Sequence, residues 1–171
     1  MISLESSSLP ETLTKTAESA VVIALKHIRE GRFQRSLALI TAGSGVASTL
    51  EVAYEHYKGS YSNRIMYSPV ILGAALSGAS FSAIFNGGPA VVTLRAVSIL
   101  TLIDGVTGFV FHVRGIARKP GGWRLPLTNI IMGPPIFAPL LFGTAAYLGM
   151  MASYLQREGS GHAKNAVAYT G

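Results

Sequence analysis

A chain of 171 residues in which 13% are charged and 49% hydrophobic is about one domain long and carries roughly half the charge of an ordinary soluble domain. The net charge of +6 comes without a basic run interleaved with aromatics, which excludes nucleic acid as the expected partner, and the absence of cysteine excludes disulfides, thiolate metal sites and thiol nucleophiles. Residues 65–94 and 125–156, runs of 30 and 32, hold no Asp, Glu, Lys or Arg, whereas a helix needs only ~20 apolar residues to cross the ~30 Å hydrocarbon core of a bilayer. A domain of this size has too little interior to bury both runs on every side. The sequence therefore reads as an all-α integral membrane protein, a four-helix bundle preceded by an N-terminal amphipathic helix lying in the membrane interface.

Residues 1–32 form the leader. Residues 1–9 are Ser-rich, and residues 1–11 carry no Lys or Arg, unlike a cleaved signal peptide. The first membrane helix is expected to act as its own insertion signal. Over residues 10–31, Leu13, Ala17, Ala20, Val21, Ala24 and Ile28 recur at spacings of three and four, so they share one helical face. Pro10 suits a first turn and Gly31 a stop. Lys15, Lys26 and Arg29 lie off that stripe, as expected of a helix in the interface; docking on a partner subunit is the alternative.

The bundle is expected over residues 33–156. Its first helix, residues 33–57, has the weakest hydropathy because it contains Glu51 and Glu55. The second, residues 65–85, ends at Asn86-Gly87-Gly88-Pro89, a strong breaker. The third, residues 90–113, has Arg95 near its start, from where it can snorkel to the terminal side, and Asp104 inside. A basic turn, residues 114–124, follows. The fourth helix, residues 125–154, contains Pro134, Pro135 and Pro139, which predict a kink or a broken first turn. Residues 157–171 read as a flexible polar tail. Small residues crowd the first, second and fourth helices, and in lipid they permit close backbone approach. The second has them around much of its circumference, more than one neighbour needs, which favours further contacts with other membrane subunits or a second copy. No internal repeat of the kind found in many transporters is visible.

Four helices put both termini on one side. Seven cations fall there and six on the two odd loops, so positive-inside counting does not choose between the two orientations. The polar leader favours cytoplasmic termini in a bacterial-type inner membrane; the cations of the third loop favour the reverse.

Ionisable groups inside membrane helices raise a functional question by default. On the first helix Ser44, Ser48, Glu51 and Glu55 stay within an arc of roughly 60°. On the third, Thr101, Asp104, Gly108 and His112 form a second narrow stripe. The two helices point the same way, so Glu51, Glu55, Asp104 and His112 can meet inside the bundle. They can fix helix register, line a path for protons, ions or a small solute, or bind a metal through carboxylate and imidazole, although no Glu-x-x-His pair is present. His56 and His112 are the candidate ligands for haem b or a metal, but His56 lies about 100° around the helix from Glu55, so the two should not face the same neighbour. Arg114, Arg118, Lys119 and Arg124 can hold lipid phosphate or the acidic face of a partner. The sequence has no P-loop, GxSxG elbow, HExxH or dinucleotide fingerprint, so whether the chain is an enzyme stays open. These features lead to the expectation of an accessory or anchoring subunit of a larger membrane complex, redox or energy-conserving. A small transporter or channel using the two stripes is the alternative, and a haem- or metal-bearing membrane oxidoreductase the third.

Overall fold

The computed structural model describes the backbone of residues 8–168 and the side chains of residues 13–27 and 30–155. Six α-helices follow one another: α1 (Ser8–Arg29), α2 (Arg32–Lys58), α3 (Ser68–Phe85), α4 (Pro89–Ala117), α5 (Pro126–Ile131) and α6 (Ala138–Ala168). Four are long and apolar enough to cross a membrane, over Arg32–Lys58, Arg64–Phe85, Pro89–Ala117 and Ala138–Leu155. Their outward faces expose large apolar side chains, among them Leu39, Val46 and Leu50 on α2, Ile71 and Phe81 on α3, and Ile103, Val106 and Val110 on α4. Lipid tails cover such a surface; water would not.

Each junction has a local cause. Gly31, at φ 71°, turns the chain between α1 and α2 at no steric cost to a Cβ, and Glu30 pairs with Arg32 across the turn at 3.0 Å. After Lys58 the chain turns sharply through Ser60 and Tyr61, both at positive φ. Tyr61 is anchored there: its hydroxyl donates to Ala53 O at 3.1 Å, and its ring stacks on Tyr67 at 4.3 Å. Asn63 then caps a 3-10 turn, Arg64–Tyr67, that leads into α3.

The fourth span differs most from expectation. It is not one helix from residue 125. A 3-10 turn, Gly122–Arg124, and the six-residue α5 come first; residues 132–137 then break the helix, and the spanning segment starts only at Ala138. Pro134 and Pro135 have no N–H to donate and forbid a helical turn across them. Pro139 falls in the first turn of α6, where a missing N–H costs nothing. Side chains bond two carbonyls at the break: Lys119 donates to Met132 O at 2.7 Å, and His112 Nδ1 donates at 2.7 Å to Pro135 O, which also accepts from Ala138 N at 3.3 Å. At its other end α6 runs on to Ala168, through residues expected from the sequence to be a flexible tail, because no proline interrupts that stretch.

The four spans form a ring in which α2 packs on α3 and α6, and α4 packs on α3 and α6, while α2 and α4 sit on the diagonal and hardly touch. Small residues bring the neighbours together. A Cβ on Gly105 of α4 would come within 2.9 Å of Pro139 O on α6, and one on Gly149 of α6 within 2.7 Å of Ser98 Oγ and 3.0 Å of Thr41 Cγ2. Leu76, Leu94, Phe142 and Ala146 form the apolar centre. α1 stays apart from it: every described side chain from Leu13 to His27 is exposed.

Candidate functional site

The gap on the α2–α4 diagonal is filled at one end of the bundle and open at the other. At the terminal end, where α2 begins and the α6 span ends, Thr41, Leu94, Ser98, Thr101 and Ala146 occupy it, all fully buried. Two latches tie the helix ends there. Gln34 Nε2 donates to Leu155 O at 3.1 Å. Arg95 Nη2 donates to Ser153 O at 2.9 Å, with its guanidinium over the Tyr154 ring at 4.2 Å. Arg95 thus snorkels to the terminal side, as its place in the sequence suggests, and finds fixed partners.

At the loop end the gap holds a cavity of about 410 Å³. α2 contributes Glu51, Val52, Glu55 and His56; the α2–α3 connection Asn63, Ile65 and Met66; and the start of α3 Ser68 and Pro69. α4 contributes residues from Asp104 to His112, the proline break Gly133, Pro134 and Pro135, and the first turn of α6 Ala138 and Pro139. Phe142, 2% exposed, lies at the inner end. The cavity is not sealed, since Glu51 and Phe111 on its lining are exposed. Its volume falls within the usual range for small-molecule sites, about 300–1,000 Å³.

All four residues of the expected polar cluster, Glu51, Glu55, Asp104 and His112, line this one cavity. The lower halves of the two stripes do not. Thr101 is buried and donates to Val97 O at 2.8 Å, and Ser44 and Ser48 are not on the lining. His56 also lines the cavity, on a different neighbour from Glu55. The α2–α3 connection folds over the end of α2, so α2 lines the cavity across a wider arc than contact with one helix would allow. Glu55 leans to Lys58, with Nζ at 3.0 and 3.2 Å from its two oxygens, and His56 turns to the connection, where its Nδ1 bonds Met66 O at 2.6 Å.

Both imidazoles are held in the same way. A backbone carbonyl can only accept, so Nδ1 of His56 and of His112 must carry the proton, and in the neutral ring Nε2 is left as an acceptor or ligand atom. Asp104 accepts from Ser68 Oγ at 2.6 Å. Glu51 makes no hydrogen bond or ion pair among the described residues. No group of three His, Asp or Glu is placed to hold a metal ion among the described residues: Glu55 is drawn to Lys58, and Asp104 to Ser68. Of the basic residues considered for lipid or partner contact, Arg114, Arg118 and Arg124 are exposed and lie off the cavity, whereas Lys119 is committed to Met132 O.

Sequence reasoning missed Ser68, Met66 and Phe142. Ser68-Pro69 marks the start of a span at the loop face and so pointed to Ser68. Nothing local pointed to Met66, which serves through its backbone carbonyl, or to Phe142, which reads as one more apolar residue. No family model matches the chain, and no curated protein or solved structure is similar to it.

Proposed function

We propose that this chain is a membrane-embedded binding subunit, which holds a small molecule in its loop-end cavity as an accessory part of a larger membrane assembly. The cavity carries the reading. It is of ligand size, mostly apolar, and provided with a few convergent polar groups on rigid helices, the usual make-up of a small-molecule site. It stops at Phe142 against a packed bundle end, so it suits holding a ligand rather than passing one through. Two further features support a place in an assembly. The described part of the apolar stripe of α1, from Leu13 to Ala24, is exposed, and Ala74, Ala75 and Gly78 leave a small-residue face of α3 turned outward. α1 would lie in the interface with its cations at the headgroups, and α3 would meet a neighbouring subunit through close backbone approach.

Native mass spectrometry of the chain extracted in mild detergent tests both halves. The expected result is a mass above the bare 18.0 kDa, made up of partner subunits and a small adduct, with the adduct lost in Thr107→Trp, which places an indole in the cavity. A chain of bare mass in every mild detergent overturns the proposal.

A second reading, transport along the α2–α4 diagonal, draws support from Thr41, Ser98 and Thr101, hydroxyls buried beyond Phe142 on the same diagonal. Glu51→Gln with Asp104→Asn should then abolish solute flux in proteoliposomes, and flux no higher than in protein-free liposomes ends this reading.

A further inference from the structure

We infer that the cavity takes an organic cation, a ligand with an apolar body and a head that donates N–H bonds and accepts none. This rests on the proposal that the cavity is a binding site and adds the chemical class of its ligand.

The hydrogen-bonding inventory of the lining is one-sided. Nε2 of His56 and of His112 are acceptors, because each Nδ1–H is spent on a carbonyl, of Met66 and Pro135 respectively. Glu51 offers an unengaged carboxylate, and Asp104 keeps one oxygen beyond the one bonded to Ser68. Donors are nearly absent. No Lys or Arg lines the cavity. The hydroxyl proton of Ser68 goes to Asp104 or to Ile65 O, and that of Thr107 to Ile103 O at 2.8 Å. Pro69, Pro134, Pro135 and Pro139 have no N–H at all. Among the lining side chains, Asn63 Nδ2 is the one N–H donor left over, its Oδ1 being engaged by Ile65 N.

Each class of ligand can be weighed against that inventory. An anion would face three carboxylates without a cation on the lining to meet it. A neutral carbonyl compound would set its lone pairs against those of the lining and leave most acceptors unmatched, which is costly once water is expelled. A hydrated inorganic ion would gain nothing from Val52, Phe111, Phe142 and the proline walls, and no three-ligand set is placed among the described residues to strip its water. A protonated amine or amidine satisfies both halves of the site. Its N–H groups donate to the carboxylates and imidazoles in charge-assisted bonds, and Phe111 and Phe142 on the lining offer aromatic surface to its apolar body.

Calorimetric titration of the intact protein in phosphatidylcholine nanodiscs tests this, with empty nanodiscs as the blank for lipid partition. The probes are 2-naphthamidinium, 2-naphthamide and 2-naphthoate, alike in size and differing in head charge. The amidinium should bind about tenfold or more tightly than the amide, the ratio expected from one charge-assisted bond exchanged for a neutral one, and the naphthoate should not bind. Glu51→Gln with Asp104→Asn should erase that advantage. Glu51→Gln alone, at an exposed position, should reduce it and serves if the double variant does not fold. An amide or naphthoate that binds as tightly as the amidinium overturns the cation class but leaves the cavity a binding site. An amidinium advantage unchanged by the substitutions overturns it as well, because the cation is then held elsewhere. No binding of any probe above the blank overturns both the class and the site.

Discussion

The two ends of the bundle use the same helices and reach opposite results. At the terminal end, small and hydroxyl-bearing side chains let α2, α4 and α6 close on one another; Thr41, Ser98 and Thr101 lie at full burial, and the Arg95 and Gln34 latches fix the helix ends. At the loop end the same helices are held apart by a proline break and by a connection folded over α2, and the charged side chains gather in the space that remains. Burial of ionisable groups in lipid is expensive. A chain that closed at both ends would have to pair or expel Glu51 and Asp104, and this one leaves them on the wall of an open cavity. Tight packing is thus concentrated at one end and ionisable side chains at the other, with Phe142 between them.

The largest effect should come from removing that divider. Phe142 is buried against Gly73 of α3, where a Cβ would come within 3.1 Å of its ring. Phe142→Ala should cost about 3 kcal/mol or more, read as the shift of an SDS-titration unfolding curve in mixed micelles. A cost below about 1 kcal/mol would mean that the two ends are not separately built. Next comes Gly149→Leu in the packed end. Its side chain would press on Ser98, Thr41 and Leu94, and overpacking of this kind costs about 2 kcal/mol by the same measurement. Because the site lies at the other end, affinity for a cavity ligand should change far less than stability does; a parallel loss of both would dissolve the distinction between the two regions.

The sequence carries the helical part of this design well and the cavity only in part. Charge-free runs and spacings of three and four locate the spans and put Glu51, Glu55, Asp104 and His112 on stripes at similar depth, because those features depend only on helix geometry. The proline cluster announces a break, but not that residues 122–131 would form a separate 3-10 turn and short helix before it. That depends on tertiary contacts such as Asn129, buried and donating to Pro120 O and Gly122 O. The partner of His56, Met66 O of the α2–α3 connection, is hidden from the sequence pattern for a related reason. A helical wheel assumes that neighbouring helices are the only surroundings, and here a turn through Ser60 and Tyr61, both at positive φ, supplies another wall. A side-chain bond to a carbonyl at a distant proline break, as His112 makes to Pro135 O, is likewise invisible to any local pattern.

The smallest expected effect bears on what lies outside the chain. A Cβ on Gly78 of α3 would meet nothing within 4 Å, in contrast to Gly149, which is crowded by Ser98, Leu94 and Thr41. Gly78→Leu should therefore leave the unfolding curve of the purified protein within about 0.5 kcal/mol of wild type, the range of a surface substitution. Yet glycine in a helix interior is not favoured by backbone entropy, and in the proposed assembly an exposed one beside Ala74 and Ala75 would allow close approach by another helix. In native membranes the same substitution should then reduce co-purification of partner subunits that wild type retains. The pair of measurements separates the two meanings of a small residue. Gly149 is small for its own bundle, and its replacement shows in the isolated chain. In the proposed assembly Gly78 would be small for a neighbour, and its replacement would show only when the neighbour is present. If Gly78→Leu leaves both stability and co-purification untouched, the outward face of α3 meets only lipid, and an assembly would have to be held through α1 or the loop end instead.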